Sequence, residues 1–276
     1  MPSRAQHWIV LKFGGTSVST RANWSNIADV VQARLAGGAR IMVVHSAVTG
    51  ITDRLERLLV AALAAAHEPL LASIEQRHRQ LAEELGVGSS PQLESYFATL
   101  RQMTSGIALM NEVSERTRAR LLATGELMAT EIGARYLQTR GIAAQWWDAR
   151  CGLICAERSE APTRVNFLSA TCDFSADSAL QAQLAALPGV IITQGFIANT
   201  PSGDTVLLGR GGSDTSAAYF AAKLQAQRLE IWTDVPGSSG RCVAYTAMGI
   251  CCDFAGRMQR GCSTLAPLLA TSCASS

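Results

Sequence analysis

The sequence predicts an α/β fold built on a parallel sheet with helices on its faces. Three observations carry this. "WIVLKF" and "RIMVVHS" are short apolar runs of strand length, each bounded by Gly or Ser. Between them, "RANWSNIADVVQARLAGG" places Trp24, Ile27, Val30, Val31 and Leu35 at helical spacing before a glycine stop. A strand–helix–strand start of this kind closes into a parallel pair through a right-handed crossover. The chain has 276 residues, 48% hydrophobic and 17% charged, enough to bury one large core or two modest ones.

A long helical region follows, from about Leu55 to Arg140. Pro69, the "GVGSSP" turn from Gly86 to Pro91, and Gly106 are its expected breaks. "IAAQWWD" and "GVIITQGF" then read as strands, and "ANTPSGDTVLL" as a hairpin turning at Pro201 and Gly203. "RGGSDTSAAYFAAKLQAQ" opens on glycines and runs into a helix, and "LEIWTDV" is a further strand. From Ser238 onward the periodicity fits neither helix nor strand for long.

Composition excludes several function classes. A net charge of +2 argues against a nucleic-acid surface. "MPSRAQHWIVLKFGG" lacks the apolar core of a signal peptide. The longest fully apolar run, "LLVAALAAA" from Leu58, covers nine residues, too few to cross a bilayer. A cytoplasmic location without a membrane partner is the resulting expectation. Eight cysteines form no CxxC pair and make no ligand spacing with the four histidines, so buried or incidental free thiols are expected rather than zinc or a disulfide framework.

Two glycine clusters carry the chemistry. In "VLKFGGTSVST" the strand ends at Lys12, one of only two lysines in the chain. Gly14 and Gly15 let a ligand approach backbone amides, and Thr16 and Ser17 add hydroxyls suited to phosphate oxygens. Taken alone, Lys-x-Gly-Gly reads as an ordinary strand-to-helix turn. The second cluster, "LLGRGGSDTSA", sets Gly209, Gly211 and Gly212 around Arg210. Ser213 or Asp214 would cap the helix that follows, with unpaired amides and the positive helix end at the glycines. Arg210 can grip a carboxylate with two parallel hydrogen bonds. Two such loops suit phosphoryl transfer, which needs positioning and charge stabilisation more than a nucleophile triad.

"KFGGTSV", "HSAVTGITD", "TGELMAT", "TQGFIANT", "LLGRGGSDTSA" and "WTDVPG" occur in the order in which aspartate kinases carry similar motifs. Over roughly residues 7 to 237 the chain resembles that branch of the amino-acid kinase superfamily, most of all the kinase half of bifunctional aspartokinase/diaminopimelate decarboxylase. The resemblance implies a three-layer sandwich with a mostly parallel central sheet flanked by helices. It also implies ATP-dependent phosphorylation of the L-aspartate β-carboxylate, the first step of the lysine, threonine and methionine pathway. ATP with Mg²⁺ is the implied cofactor, the metal carried by the phosphates and not by the protein. Lys12 would stabilise the phosphoryl group in flight, near Arg210 and Asp214. Ser46, Thr52, Glu126, Gly195, Phe196, Arg210 and Ser213 would surround aspartate, with Glu126 on its ammonium and Arg210 on its α-carboxylate. Lys12, Gly14, Gly15, Thr16, Ser17, Thr233 and Asp234 would meet the nucleotide. A homo-oligomer is implied too, assembled through parts this chain lacks. A kinase for glutamate, acetylglutamate or a nucleotide, and a ligand-binding remnant without turnover, are the alternatives.

The resemblance stops at residue 237. The family continues with an Asp-Pro-Arg segment and later a Gly-Ala-Lys-x-Leu-His-Pro stretch near the nucleotide. Here the chain reads "SSGRCVAY", with five cysteines and one acid from Ser238 to the end. The expectation is a kinase region over 1–237 and a non-matching tail over 238–276 read in a shifted frame. Unpaired sheet edges, exposed apolar surface and weak or absent turnover would follow.

Overall fold

The computed structural model describes residues 7–156, 158 and 160–233, with strand backbones at 241–246, 251–253 and 257–259. Strand β1 (Trp8–Phe13) is buried along its whole length and pairs in parallel with β2 (Arg40–His45), Trp8 facing Arg40 and Phe13 facing His45. Helix α1 (Arg21–Ala36) connects them. It is capped by Thr20, whose hydroxyl accepts from the Asn23 amide at 3.3 Å, and it buries Trp24, Ile27 and Val31.

Four helices follow: α2 (Ile51–Leu63), α3 (Glu68–Glu84), α4 (Pro91–Met110) and α5 (Glu115–Thr139). Pro69 and Pro91 sit in the first turns of α3 and α4, where a missing N–H leaves no helical bond unmade. Gly106 does not break the chain. It lies within α4, which ends at Asn111 in the left-handed region (φ 52°). A glycine weakens a helix by only about 1 kcal/mol against alanine. The apolar stripe Leu93, Phe97, Leu100 and Ile107 outweighs that. Helix α5 is buried almost continuously from Ala119 to Leu137, which makes it the spine of the domain.

The remaining elements are β3 (Ala144–Trp146), α6 (Thr163–Leu168), α7 (Ser178–Ala186), β4 (Val190–Gln194), β5 (Ile197–Asn199), β6 (Thr205–Leu207), α8 (Gly212–Lys223) and β7 (Arg228–Thr233). β5 and β6 form the expected hairpin. Strands β7, β1, β2, β4 and β3 lie side by side in that order, all parallel. α1 packs on β2 and α5, and α5 on β3 and β4; α8 packs on β1, β2 and β7 and touches α7. Right-handed crossovers place these two groups on opposite faces of the sheet.

Two expectations fail. β7 is not an open edge: β8 (Arg241–Thr246) pairs with it antiparallel, and β9 (Cys251–Asp253) and β10 (Arg257–Gln259) extend the same sheet. Backbone pairing along an existing edge demands little of the side-chain pattern, which is why no period in the sequence announced these strands. Nor are all thiols free, since Cys155 and Cys172 are joined in a disulfide while Cys151 is free. Neighbouring backbone ladders bring this pair together as an antiparallel bridge.

Candidate active site

The chain reverses direction across the sheet between β1, which continues to β2 on one side and takes β7 on the other. In open parallel sheets, ligands bind outside the carboxyl ends of the strands at such a point. A cavity of about 730 Å³ opens there. It is lined by Lys12 from the end of β1, Ser46 after β2, Thr52 in α2, Glu126 in α5, Phe196 after β4, and Arg210, Ser213 and Asp214 at the start of α8. Eight of the residues to which the resemblance assigns a role therefore meet in one space, with Gly209, Gly211 and Gly212 beside them.

The strand ends are latched together. The Ser46 amide donates to the Phe13 carbonyl at 3.2 Å, and the Gly195 amide donates to the His45 carbonyl at 2.9 Å. Gly195 packs so tightly on α8 that a Cβ there would sit 2.6 Å from the Ser213 Cβ. Phe196 holds a left-handed backbone (φ 69°). It is fixed there because its amide donates to the Ser216 hydroxyl at 2.8 Å and its carbonyl accepts from the Leu208 amide at 2.9 Å.

Neither Ser213 nor Asp214 caps α8. The cap position is Gly211 in the left-handed region (φ 73°), with no side-chain cap bond. Tertiary partners claim both polar residues: Ser46 Oγ donates to Ser213 Oγ at 2.9 Å, and Lys12 Nζ pairs with Asp214 Oδ1 at 2.6 Å. The loop amides are also less free than expected, because Gly212 and Asp214 donate to the Gly209 and Gly211 carbonyls at 3.0 and 2.9 Å. The positive end of the helix dipole remains at the cavity. Thr52 is the second residue of α2, which starts from a left-handed Gly50.

Glu126 is 2% exposed. Its Oε1 accepts from the Ala47 amide at 3.3 Å, while Oε2 is buried with no hydrogen-bond partner among the described residues. Burial pushes its carboxyl up to about 8, only partly offset by the Ala47 bond. A buried carboxylate oxygen without a donor is the position that an incoming ammonium would complete. Arg210 is exposed and forms no ion pair among the described residues, so its guanidinium is available to a carboxylate.

Gly14, Gly15, Thr16 and Ser17 form the turn beside this cavity and do not line it. Thr16 is exposed and its carbonyl accepts from Asn23 Nδ2 at 2.9 Å, whereas Ser17 is buried. Thr233 ends β7, its side chain outside the described residues, and Asp234 lies wholly outside them. Sequence reasoning missed His45, Arg164 and Ser169. His45 is fully buried, its Nδ1 2.9 Å from the Ser46 carbonyl, and burial lowers its imidazole to about 4. It is thus a neutral brace behind Ser46, and its place at the strand end as the first residue of "HSAVTGITD" was the available signal. Arg164 and Ser169 line the cavity from the α6 segment, which no motif marks.

The profile of the amino acid kinase family matches residues 7–237. The lysine-sensitive aspartokinase 3 of Escherichia coli (strain K12) is 35% identical over 240 residues, covering 83% of this chain and 49% of that protein. The aspartokinase of Chlamydia muridarum is 30% identical, covering 83% of this chain and 48% of its own length. The crystal structure of Escherichia coli aspartokinase III in complex with aspartate and ADP superposes with a TM-score of 0.65 at 34% identity, over 83% of this chain and 49% of that one. This chain spans about half the length of the curated relatives it matches. With the profile extending over most of its residues, the chain belongs to the amino acid kinase family.

Proposed function

We propose that the cavity binds L-aspartate and presents its β-carboxylate to the γ-phosphate of ATP, yielding 4-phospho-L-aspartate and ADP. The observation that carries this reading is the buried, unpaired Oε2 of Glu126 in the same cavity as the uncommitted Arg210 and the Lys12–Asp214 pair. Glu126 receives the ammonium, and Arg210 the α-carboxylate. Ser46, Thr52, Phe196 and Ser213 shape the space between, with Gly195 holding Ser213 in place. Lys12 turns from Asp214 toward the oxygens of the transferring group as negative charge grows there. No general base is needed, because an aspartate side chain is ionised at neutral pH. Mg²⁺ arrives on the ATP phosphates. Gly14, Gly15, Thr16 and Ser17, with Thr233 and Asp234, form the nucleotide side.

The relatives named aspartokinases, and the neighbour solved with aspartate and ADP, support the substrate choice. A substrate panel tests it: ADP release dependent on L-aspartate, L-glutamate or N-acetyl-L-glutamate, with calorimetry of each. The proposal requires L-aspartate to bind best. Preferential binding of either glutamate compound overturns it. The family match ends at residue 237, which favours binding without efficient turnover in this chain. ADP release at a rate typical of an intact aspartokinase would refute that second statement.

A further inference from the structure

We propose that Cys155 and Cys172 form a thiol–disulfide exchange site that controls one wall of the substrate cavity, an inference that rests on the aspartate reading above. The two residues face each other across an antiparallel bridge and are joined by a disulfide closing a sequence separation of 17. Inside that loop lie α6 and Ser169, and Arg164, Leu168 and Ser169 line the cavity. Apart from the cross-link, the segment rests on α5 and β6 through the partly buried Phe167 and Leu168 and through an Arg164–Glu115 ion pair at 3.5 Å. α6 is six residues long, has no side-chain cap and buries none of its residues. Its feet are fastened by single hydrogen bonds: the Cys155 amide donates to the Asn199 carbonyl at 2.7 Å, the Ala170 amide to the Leu207 carbonyl at 2.9 Å, and the Cys172 amide to the Tyr219 hydroxyl at 3.1 Å.

The wall acts directly on the glycine loop. A Cβ on Gly209 would meet Ser169 Oγ at 3.3 Å, so the position of Ser169 sets the room beside Arg210. A domain with so large a core does not depend on one cross-link for folding, and disulfides in cytosolic enzymes are mostly transient and regulatory. Exchange begins at Cys172, which is half-buried, while Cys155 is 1% exposed. A thiolate of a small or protein dithiol attacks Cys172 Sγ. The S–S bond breaks with its electron pair going to Cys155 Sγ, which takes up a proton. The second thiol of the reagent then displaces Cys172 from the mixed disulfide, leaving two protein thiols and an oxidised reagent. Oxidation runs the same steps in reverse.

The test uses the full chain equilibrated with reduced or oxidised dithiothreitol. Trypsin cleavage after Arg158 and Arg164, both inside the loop, is followed by mass spectrometry, and L-aspartate affinity by calorimetry. Reduction should speed both cleavages at least tenfold and weaken L-aspartate binding at least threefold. The Cys155→Ser/Cys172→Ser variant should match the reduced protein in either buffer, and Cys151→Ser should keep the difference. The wild-type comparison decides the matter even if the double variant fails to fold. Equal cleavage rates in the two buffers, or free thiols at both positions after oxidation, overturn the proposal. A cleavage difference without L-aspartate binding in either buffer overturns the substrate reading and leaves the redox control of the wall standing.

Discussion

Replacing Glu126 with glutamine removes a charge that the fold tolerates only as a neutral acid. In the folded chain this carboxyl titrates near 8, against an ordinary value of 4.5, because it is buried with one weak amide donor. A raised carboxyl means that the folded state holds a proton the unfolded chain has released. Stability is therefore full below pH 4.5 and is lost as pH rises toward 8. From those two values the loss amounts to about 1 kcal/mol at pH 5, about 3 kcal/mol at pH 7 and about 5 kcal/mol at pH 9. His45 and His78, both lowered to about 4 by burial, act with the opposite sign between pH 4 and 6.5. Subtracting the variant from the wild type cancels them. Urea unfolding of both proteins at pH 5, 7 and 9 should show the Glu126→Gln advantage growing across the series, while its affinity for L-aspartate falls at least tenfold. A variant that is less stable at every pH, or that binds L-aspartate as well as the wild type, would refute the reasoning.

Three further outcomes follow from named contacts. Lys12→Met leaves Asp214 partly exposed to water and should change stability by no more than about 1 kcal/mol, while weakening MgATP binding about tenfold and leaving L-aspartate affinity within about threefold. Calorimetry with each ligand checks both halves. Gly195→Ala places a Cβ 2.6 Å from that of Ser213 and should push α8 off the strand end. A loss of about 1–3 kcal/mol in thermal or urea unfolding is expected, together with weaker L-aspartate binding. For residues 238–276, the encoding DNA should contain Asp-Pro-Arg and Lys-x-Leu-His-Pro in one of the other two frames beyond codon 237. Absence of both disposes of the shifted-frame idea.

The first βαβ unit was legible because its residues repeat with the period of the element they form: Trp24, Ile27 and Val31 sit one helical turn apart and are buried. Glycine chemistry likewise pointed to both loops, and Lys12, Arg210 and Asp214 do share one cavity. What the pattern could not convey was set by distant partners. Ser213 and Asp214 look like caps locally, but Ser46 and Lys12 reach them from other strands. The Cys155–Cys172 pairing depends on how the chain folds back around α6, and spacing alone does not encode that. His45 opens the "HSAVTGITD" motif, yet its bracing role emerges only once β2 is buried between β1 and β4.

Calorimetric titration of the chain at pH 8 with L-aspartate and with succinate, its analogue without the amino group, tests the central claim most directly. If the unpaired oxygen of Glu126 receives an ammonium and Arg210 a carboxylate, L-aspartate should bind at least tenfold more tightly than succinate, and Glu126→Gln should erase the gap. Equal affinity for the two ligands in the wild type, or no binding of L-aspartate at all, would contradict the account.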